Sequence, residues 1–217
     1  MKTKVLFTII SLLAVINLSA QKRFEDNWAS LDTRQIPEWY EDAKFGIFIH
    51  WGLYSVPSWA PNTGDVYSRY AEWYWHRLNP EDKDGEDFRK YHNEMYGPKF
   101  KYQDFAKDFK AEMFNPSLWA DIIKKAGARY VVLTSKHHEG FCLWDSKYTE
   151  YDVANSGNPT NVVEEVAKEC KRQGIGLGLY YSLWDRKQNA DVKNEALDEA
   201  YNKYMIAQLN ELIDMVE

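Results

Sequence analysis

Tyr130-Val131-Val132-Leu133-Thr134-Ser135-Lys136-His137-His138-Glu139-Gly140-Phe141 is the stretch that decides the fold. Its first five residues form a short, nearly continuous apolar run, as expected of a strand buried on both faces of a parallel sheet. Two adjacent histidines follow where the run ends, with a turn glycine and an aromatic ring behind them. Within a strand, neighbouring side chains point to opposite faces, so the pair cannot both face one core. At a strand's end the ladder gives way to a loop, and both imidazoles can turn toward a single pocket.

Two further runs repeat the pattern. Phe45-Gly46-Ile47-Phe48-Ile49 is followed by His50-Trp51-Gly52, and Ile175-Gly176-Leu177-Gly178-Leu179-Tyr180-Tyr181 is followed by Ser182, Trp184 and Asp185. Between the second and third runs, residues 161–173 carry Val162, Val163, Val166, Ala167 and Cys170 at helical spacing, with Gly174 as the stop. Asn115-Pro116-Ser117 opens a helix over 118–125 that ends at Gly127, and a last helix runs from about Asp198 to Glu217. This alternation predicts βαβ units with right-handed crossovers in a parallel α/β sheet. Polar, ring-bearing residues at the C-terminal end of every strand match a (β/α)8 barrel, whose site lies on that face. The doubly wound alternative calls for a glycine-rich phosphate loop before a helix. Gly174, Gly176 and Gly178 alternate within a strand instead, and are read as close packing.

The net charge of −6 argues against a phosphate backbone, so no nucleic-acid partner is expected. Nine tryptophans and fifteen tyrosines, clustered at Trp51 to Trp59, Trp73-Tyr74-Trp75 and Tyr180 to Trp184, suit sugar rings, which stack their C–H faces on aromatics. The connection over 54–116 is long for a βα link and reads as a functional loop, with short helical patterns over 88–96 and 102–110. Lys2 and Lys4, the apolar residues 5–16 and Leu18-Ser19-Ala20 form a secretory signal pattern. The expectation is a signal peptide over 1–20 and an exported mature chain, periplasmic or extracellular, without a membrane span. Cys142 and Cys170 lack a disulfide framework and read as buried small hydrophobes, although pairing is open to them. No CxxC or HExxH spacing occurs, so no metal and no cofactor are expected.

Larger blocks of the chain resemble a known family. Trp39-Tyr40 and Ala43-Lys44-Phe45-Gly46-Ile47-Phe48-Ile49-His50-Trp51-Gly52, with Ser55-Val56-Pro57-Ser58-Trp59, are similar to the opening of family 29 glycoside hydrolases, the α-L-fucosidases. So are Glu72-Trp73-Tyr74-Trp75, Phe114-Asn115-Pro116 with Trp119, Thr134-Ser135-Lys136-His137-His138-Glu139-Gly140-Phe141, and Leu179-Tyr180-Tyr181-Ser182-Leu183. The resemblance implies hydrolysis of terminal α-L-fucosyl residues from glycoconjugates with retention, and fucosylated glycans as partners. It implies that His50, His137 and His138 hydrogen-bond the fucose hydroxyls and that Glu72 and Trp73 form a loop pair of the same pocket. Tyr181, more than Tyr180, matches a tyrosine that lines it.

The family's nucleophile is an aspartate at the end of the next strand, in a motif like W-F-D-G, and its acid/base lies further on. Both are expected beyond Glu217, so the resemblance assigns no catalytic residue within residues 1–217. A barrel needs about 250 residues, and three strands are legible here. The sequence therefore predicts residues 21–217 to be the N-terminal portion of a (β/α)8 barrel, truncated after about three strands and inactive alone. Glu72, Glu139, Asp145 and Asp185 lie near the expected mouth and read as loop, capping or supporting carboxylates. A competing reading is an exported, non-catalytic fucose- or carbohydrate-binding protein that keeps the histidine and tryptophan pocket. A metal-dependent hydrolase using His50, His137 and His138 is disfavoured, because no acidic ligands accompany them at defined spacing.

Overall fold

The computed structural model describes residues 23–188 and 194–216, in two units divided after Asp42. The expected signal segment, residues 1–20, lies outside the described residues, and so does Glu217, the expected last residue of the final helix. The first unit holds α1 (Trp28–Leu31), where the Asn27 side chain accepts the Ser30 N–H, and α2 (Glu38–Ala43) runs across the division.

The second unit contains β1 (Gly46–Ile49), α3 (Tyr74–Arg77), α4 (Glu86–Tyr96), α5 (Pro116–Lys125), β2 (Tyr130–Lys136), α6 (Val162–Gln173), β3 (Gly176–Tyr181) and α7 (Glu195–Val216). Its sheet has the order β1-β2-β3, and both pairings are parallel. The register aligns Ile47 with Val131 and Leu177, and Ile49 with Leu133 and Leu179. Paired residues of parallel strands project to one face. These two rows pack into the apolar core together with Ala120 and Ile123 of α5 and Val163 and Val166 of α6.

The opposite row carries Phe48, Val132 and Gly178, and Phe48 is 52 % exposed. Three buried strands were expected, and only β2 is one: Val131 and Leu133 are fully buried, whereas β1 and β3 are mostly half-buried. A strand leaves water only when both faces are covered and both edges are paired. Among the described residues, β1 and β3 each have one strand neighbour.

The capping chemistry fixes the helices. Asn161 accepts the Glu164 N–H to start α6, and Gly174 closes it in the left-handed region at φ 71°. Helix α5 begins at Pro116, two residues before the sequence expectation, because Asn115 caps the Leu118 N–H and proline needs no donor in the first turn. The final helix, α7, likewise begins earlier than expected, at Glu195 rather than near Asp198. The pattern over 102–110 forms a 3-10 helix, Tyr102–Asp108.

The long connection is not a loose platform of rings. Tyr74, Phe88, Tyr102 and Phe105 are buried, and Tyr74 meets Phe88 edge-on at 5.5 Å. Trp59 stacks on Tyr91 at 4.1 Å, Trp75 stacks on Tyr102 at 5.7 Å, and Trp51 packs among Phe109, Phe114 and Trp119. Many of the aromatics read from the sequence as sugar platforms therefore fill a core, where each ring removes a large apolar area from water. Cys142 and Cys170 are buried and unpaired.

The β2–β3 register runs Thr134↔Tyr180 and then Lys136↔Tyr181, so β2 carries an irregularity at Ser135. Beyond it, the fully buried Lys136 donates from Nζ to Tyr181 Oη (2.7 Å), Asp185 Oδ2 (2.9 Å) and Gln208 Oε1 (3.1 Å). This ties α7 to the end of the sheet.

Leu133→Ala should cost about 2–5 kcal/mol of unfolding free energy, the range for a large core residue, measured by urea denaturation. Phe48→Ala should cost less than half as much. Equal losses would contradict a sheet covered on one face.

Candidate functional site

Strand β1 ends at Ile49, and one buried hydroxyl holds the chain beyond it in place. Thr134 Oγ1 donates to the Ile49 carbonyl (2.8 Å) and accepts the Trp51 N–H (3.0 Å). His50, between those two contacts, is thereby presented beside the end of β2. Its ring lies 5.6 Å from that of His137, and His137 lies 4.3 Å from His138. The loop over the site supplies Trp73, 5.3 Å from His138, while Trp184 beyond β3 approaches His138 at 5.4 Å. Glu72 lines the same small recess as Trp73, His138 and Glu139.

Five of the six sequence-derived residues are thus gathered, and Tyr181 is not. Its hydroxyl is held by Lys136 and donates to Gln208 at 2.7 Å, and its ring faces Trp144. Tyr180 takes the place expected of it, stacked on His137 with centroids 5.9 Å apart and equally close to His50. The reason is strand alternation: adjacent residues face opposite ways, and the Ser135 irregularity pairs Tyr181 with Lys136. Trp184 was read at the strand end without a binding role, and Thr134 was not read as a site residue. For Trp184 the available signal was its place just beyond β3; for Thr134, a hydroxyl at the end of an apolar strand. The nucleophile and acid/base expected beyond Glu217 lie outside the described residues, which end at Val216.

The histidines are uncharged near neutrality. Burial lowers His137 and His138 to about 4, with Glu72 opposing the fall at His137 and the His137 charge adding to it at His138. His50, more exposed, is lowered by burial and by His137 while Glu72 opposes. Glu139 moves the other way, since desolvation pushes its carboxyl up to about 8. Glu139 Oε2 lies 3.5 Å from His137 Nδ1, so at pH 7 this contact joins a neutral acid and a neutral imidazole rather than an ion pair.

The hydrogen bonding fixes one tautomer. Ser182 Oγ has a single proton, which it donates to the Trp184 carbonyl at 2.6 Å. It must therefore accept from His138 Nδ1 at 2.6 Å, which leaves Nε2 of His138 as a lone-pair acceptor. Neutral imidazoles that accept and donate, set among indole and phenol rings, are suited to vicinal hydroxyls on an apolar ring. Among the described residues no group of His, Cys, Asp or Glu is arranged to hold a metal ion, and no helix is long and apolar enough to cross a membrane.

Neutral imidazoles from the ends of two parallel strands thus meet indoles from the loop and from beyond the third strand. Residues 11–217 match the family described as Alpha-L-fucosidase, and the chain belongs to that family. The α-L-fucosidase of Dictyostelium discoideum is 43% identical over 178 residues, 82% of this chain and 37% of that protein. Human plasma α-L-fucosidase is 44% identical over 168 residues, 75% of this chain and 33% of its own length. The crystal structure of Thermotoga maritima α-fucosidase in complex with fucose aligns with a TM-score of 0.78 at 39% identity, over 89% of this chain and 48% of that one. The chain thus spans between a third and a half of the length of these relatives.

These shifts set a pH dependence. Between about 6.5 and 4 the unfolded chain protonates His137 and His138 while the folded chain does not, so their stabilisation is present above pH 6.5 and lost as pH falls toward 4. Glu139 is protonated in the folded state up to about 8 and ionises near 4.5 when unfolded, so its stabilisation is lost as pH rises through that interval. Denaturation titrations should show stability declining from pH 6.5 to 8, and Glu139→Gln should flatten that limb alone. An unchanged slope in the variant would show that Glu139 is not the neutral group.

Proposed function

We propose that this chain supplies the fucose-binding part of an α-L-fucosidase that removes terminal α-L-fucosyl residues from glycoconjugates with retention of configuration. In this reading the three parallel strands are the first of a (β/α)8 barrel, residues 1–20 are a secretory signal, and residues 21–217 form the N-terminal part of an exported catalytic domain. Family membership and the fucose-bound relative support it. The observation that carries it is the convergence of His50, His137 and His138, held neutral, beside Trp73 and Tyr180.

Fucose presents secondary hydroxyls on one part of its ring and a methyl group on another. Neutral imidazoles can each accept or donate to such hydroxyls, and a site built that way rejects sugars that lack them. Charged imidazolium groups would lose the acceptor role.

Retaining hydrolysis uses two carboxyls about 5–5.5 Å apart, one of them ionised as nucleophile, and this reading gives that role to none of Glu72, Glu139, Asp145 and Asp185. Asp185 is buried in its bond to Lys136, Glu139 is held neutral, and Asp145 is exposed. Glu72 contributes its charge to the histidines instead. The purified 217-residue chain should therefore bind fucose without turning over a chromogenic α-L-fucoside.

Calorimetric titration with fucose, with circular dichroism to establish folding, should give saturable binding. His138→Ala should weaken it by about 1–3 kcal/mol, the cost of a lost buried hydrogen bond. Undiminished binding in that variant would remove His138 from the site. Binding accompanied by hydrolysis would show that a carboxylate in this chain serves as nucleophile.

A further inference from the structure

A second, larger recess opens beside the histidine site. Its volume is about 550 Å³, and it shares Trp75, His76 and Arg186 with the small recess that holds Glu72, Trp73 and His138, so the two are adjacent. Tyr102 and the Trp75 ring stacked on it give the larger recess an aromatic wall. Its charge is one-sided. Arg89, Lys101 and Arg186 line it, and among the described residues no aspartate or glutamate does, in a chain whose net charge is −6.

Two of these cations are anchored. Arg89 Nη1 donates to the carbonyls of Arg77, Asn79 and Asp82. The Arg186 backbone N–H donates to the His138 carbonyl at 2.8 Å, and its guanidinium lies 3.9 Å above the Trp184 ring. The nearby Asp82 is bonded to Arg77 at 3.2 Å and stands 3.4 Å from His76. Among the described residues, Arg186 Nε and Nη2, the two buried donors of one guanidinium edge, have no acceptor. That edge is the one that matches a carboxylate or a sulfate bidentately. Burial lowers the Arg186 pKa, and the Asp82 charge opposes this without a hydrogen bond. A desolvated guanidinium without a bonded anion is unfavourable, and an incoming anion would relieve it.

We propose that this recess is a second sugar subsite that takes an acidic saccharide unit, bearing a carboxylate or a sulfate, adjacent to the fucose position, with Arg186 as its chief ligand. The adjacency to fucose rests on the function proposed above; binding of the acidic unit does not.

The test is ligand-observed NMR titration of the full chain with glucuronic acid, galactose 6-sulfate, neutral galactose and fucose, at low and high salt. The acidic sugars should bind more tightly than galactose and weaken as salt rises. Arg186→Gln should reduce acidic-sugar affinity by about tenfold, the scale of one charged hydrogen bond, and Arg186→Lys should restore only part of it. The exposed Lys101→Gln, which leaves the histidine site untouched, should weaken the acidic sugars alone. Binding of only one acidic sugar would assign the subsite to that anion. Equal binding of galactose and the acidic sugars, or no loss in Arg186→Gln with folding intact, would overturn the proposal. Acidic-sugar binding without fucose binding would overturn the fucose reading and keep this subsite; fucose binding alone would do the reverse.

Discussion

An ammonium group sealed from water governs the C-terminal end of the sheet. Removing Lys136 from solvent costs several kcal/mol unless charge and hydrogen bonds offset it, and three oxygens converge on its Nζ to do so. Each belongs to a different piece of the fold: Tyr181 ends β3, Asp185 lies in the loop beyond, and Gln208 is on α7. The constraint spreads from there. Gln208 Nε2 donates to Ser146 Oγ at 3.2 Å, and Ser146 and the Trp144 indole both donate to Glu211. The histidine turn rests on the same group, since Gly140, at φ 80°, sits so close to the Asp185 carboxylate that a Cβ there would collide with it.

Fixed in this way, the strand ends can keep their histidines uncharged in a polar pocket. Three histidines and a glutamate crowd together, and burial resolves their competition by leaving His137, His138 and Glu139 neutral near pH 7. Ser182 selects the His138 tautomer because its one proton is already committed to a backbone carbonyl. Neutral groups of this kind offer hydrogen bonds of fixed direction rather than charge. Three cations, Arg89, Lys101 and Arg186, line the adjacent larger recess.

The division of the aromatics follows from the same geometry. Tyr74, Phe88, Tyr102 and Phe105 make the long connection between β1 and α5 into a small core of its own. Trp73 directly precedes Tyr74 of that core in the chain, and its ring lies 5.3 Å from that of His138.

The sequence by itself determined the three strands, the main helices around them and most of the residues that meet in the candidate site. Apolar runs with polar, ring-bearing ends, the Asn115 and Asn161 caps and Gly174 are local signals, so three parallel strands and two of the helices could be placed from spacing alone. His50, His137, His138, Glu72 and Trp73 were legible because strand ends and the family's motif blocks mark them. Tertiary structure alone decided which of Tyr180 and Tyr181 faces the pocket, because the one-residue irregularity at Ser135 depends on the pairing of β2 with β3. It alone decided which aromatics are core, because burial depends on neighbours distant in the chain. It also decided that β1 and β3 remain half-exposed and that Lys136 is buried, since solvent access and a desolvated charge with its three partners are properties of an assembled fold and not of any segment.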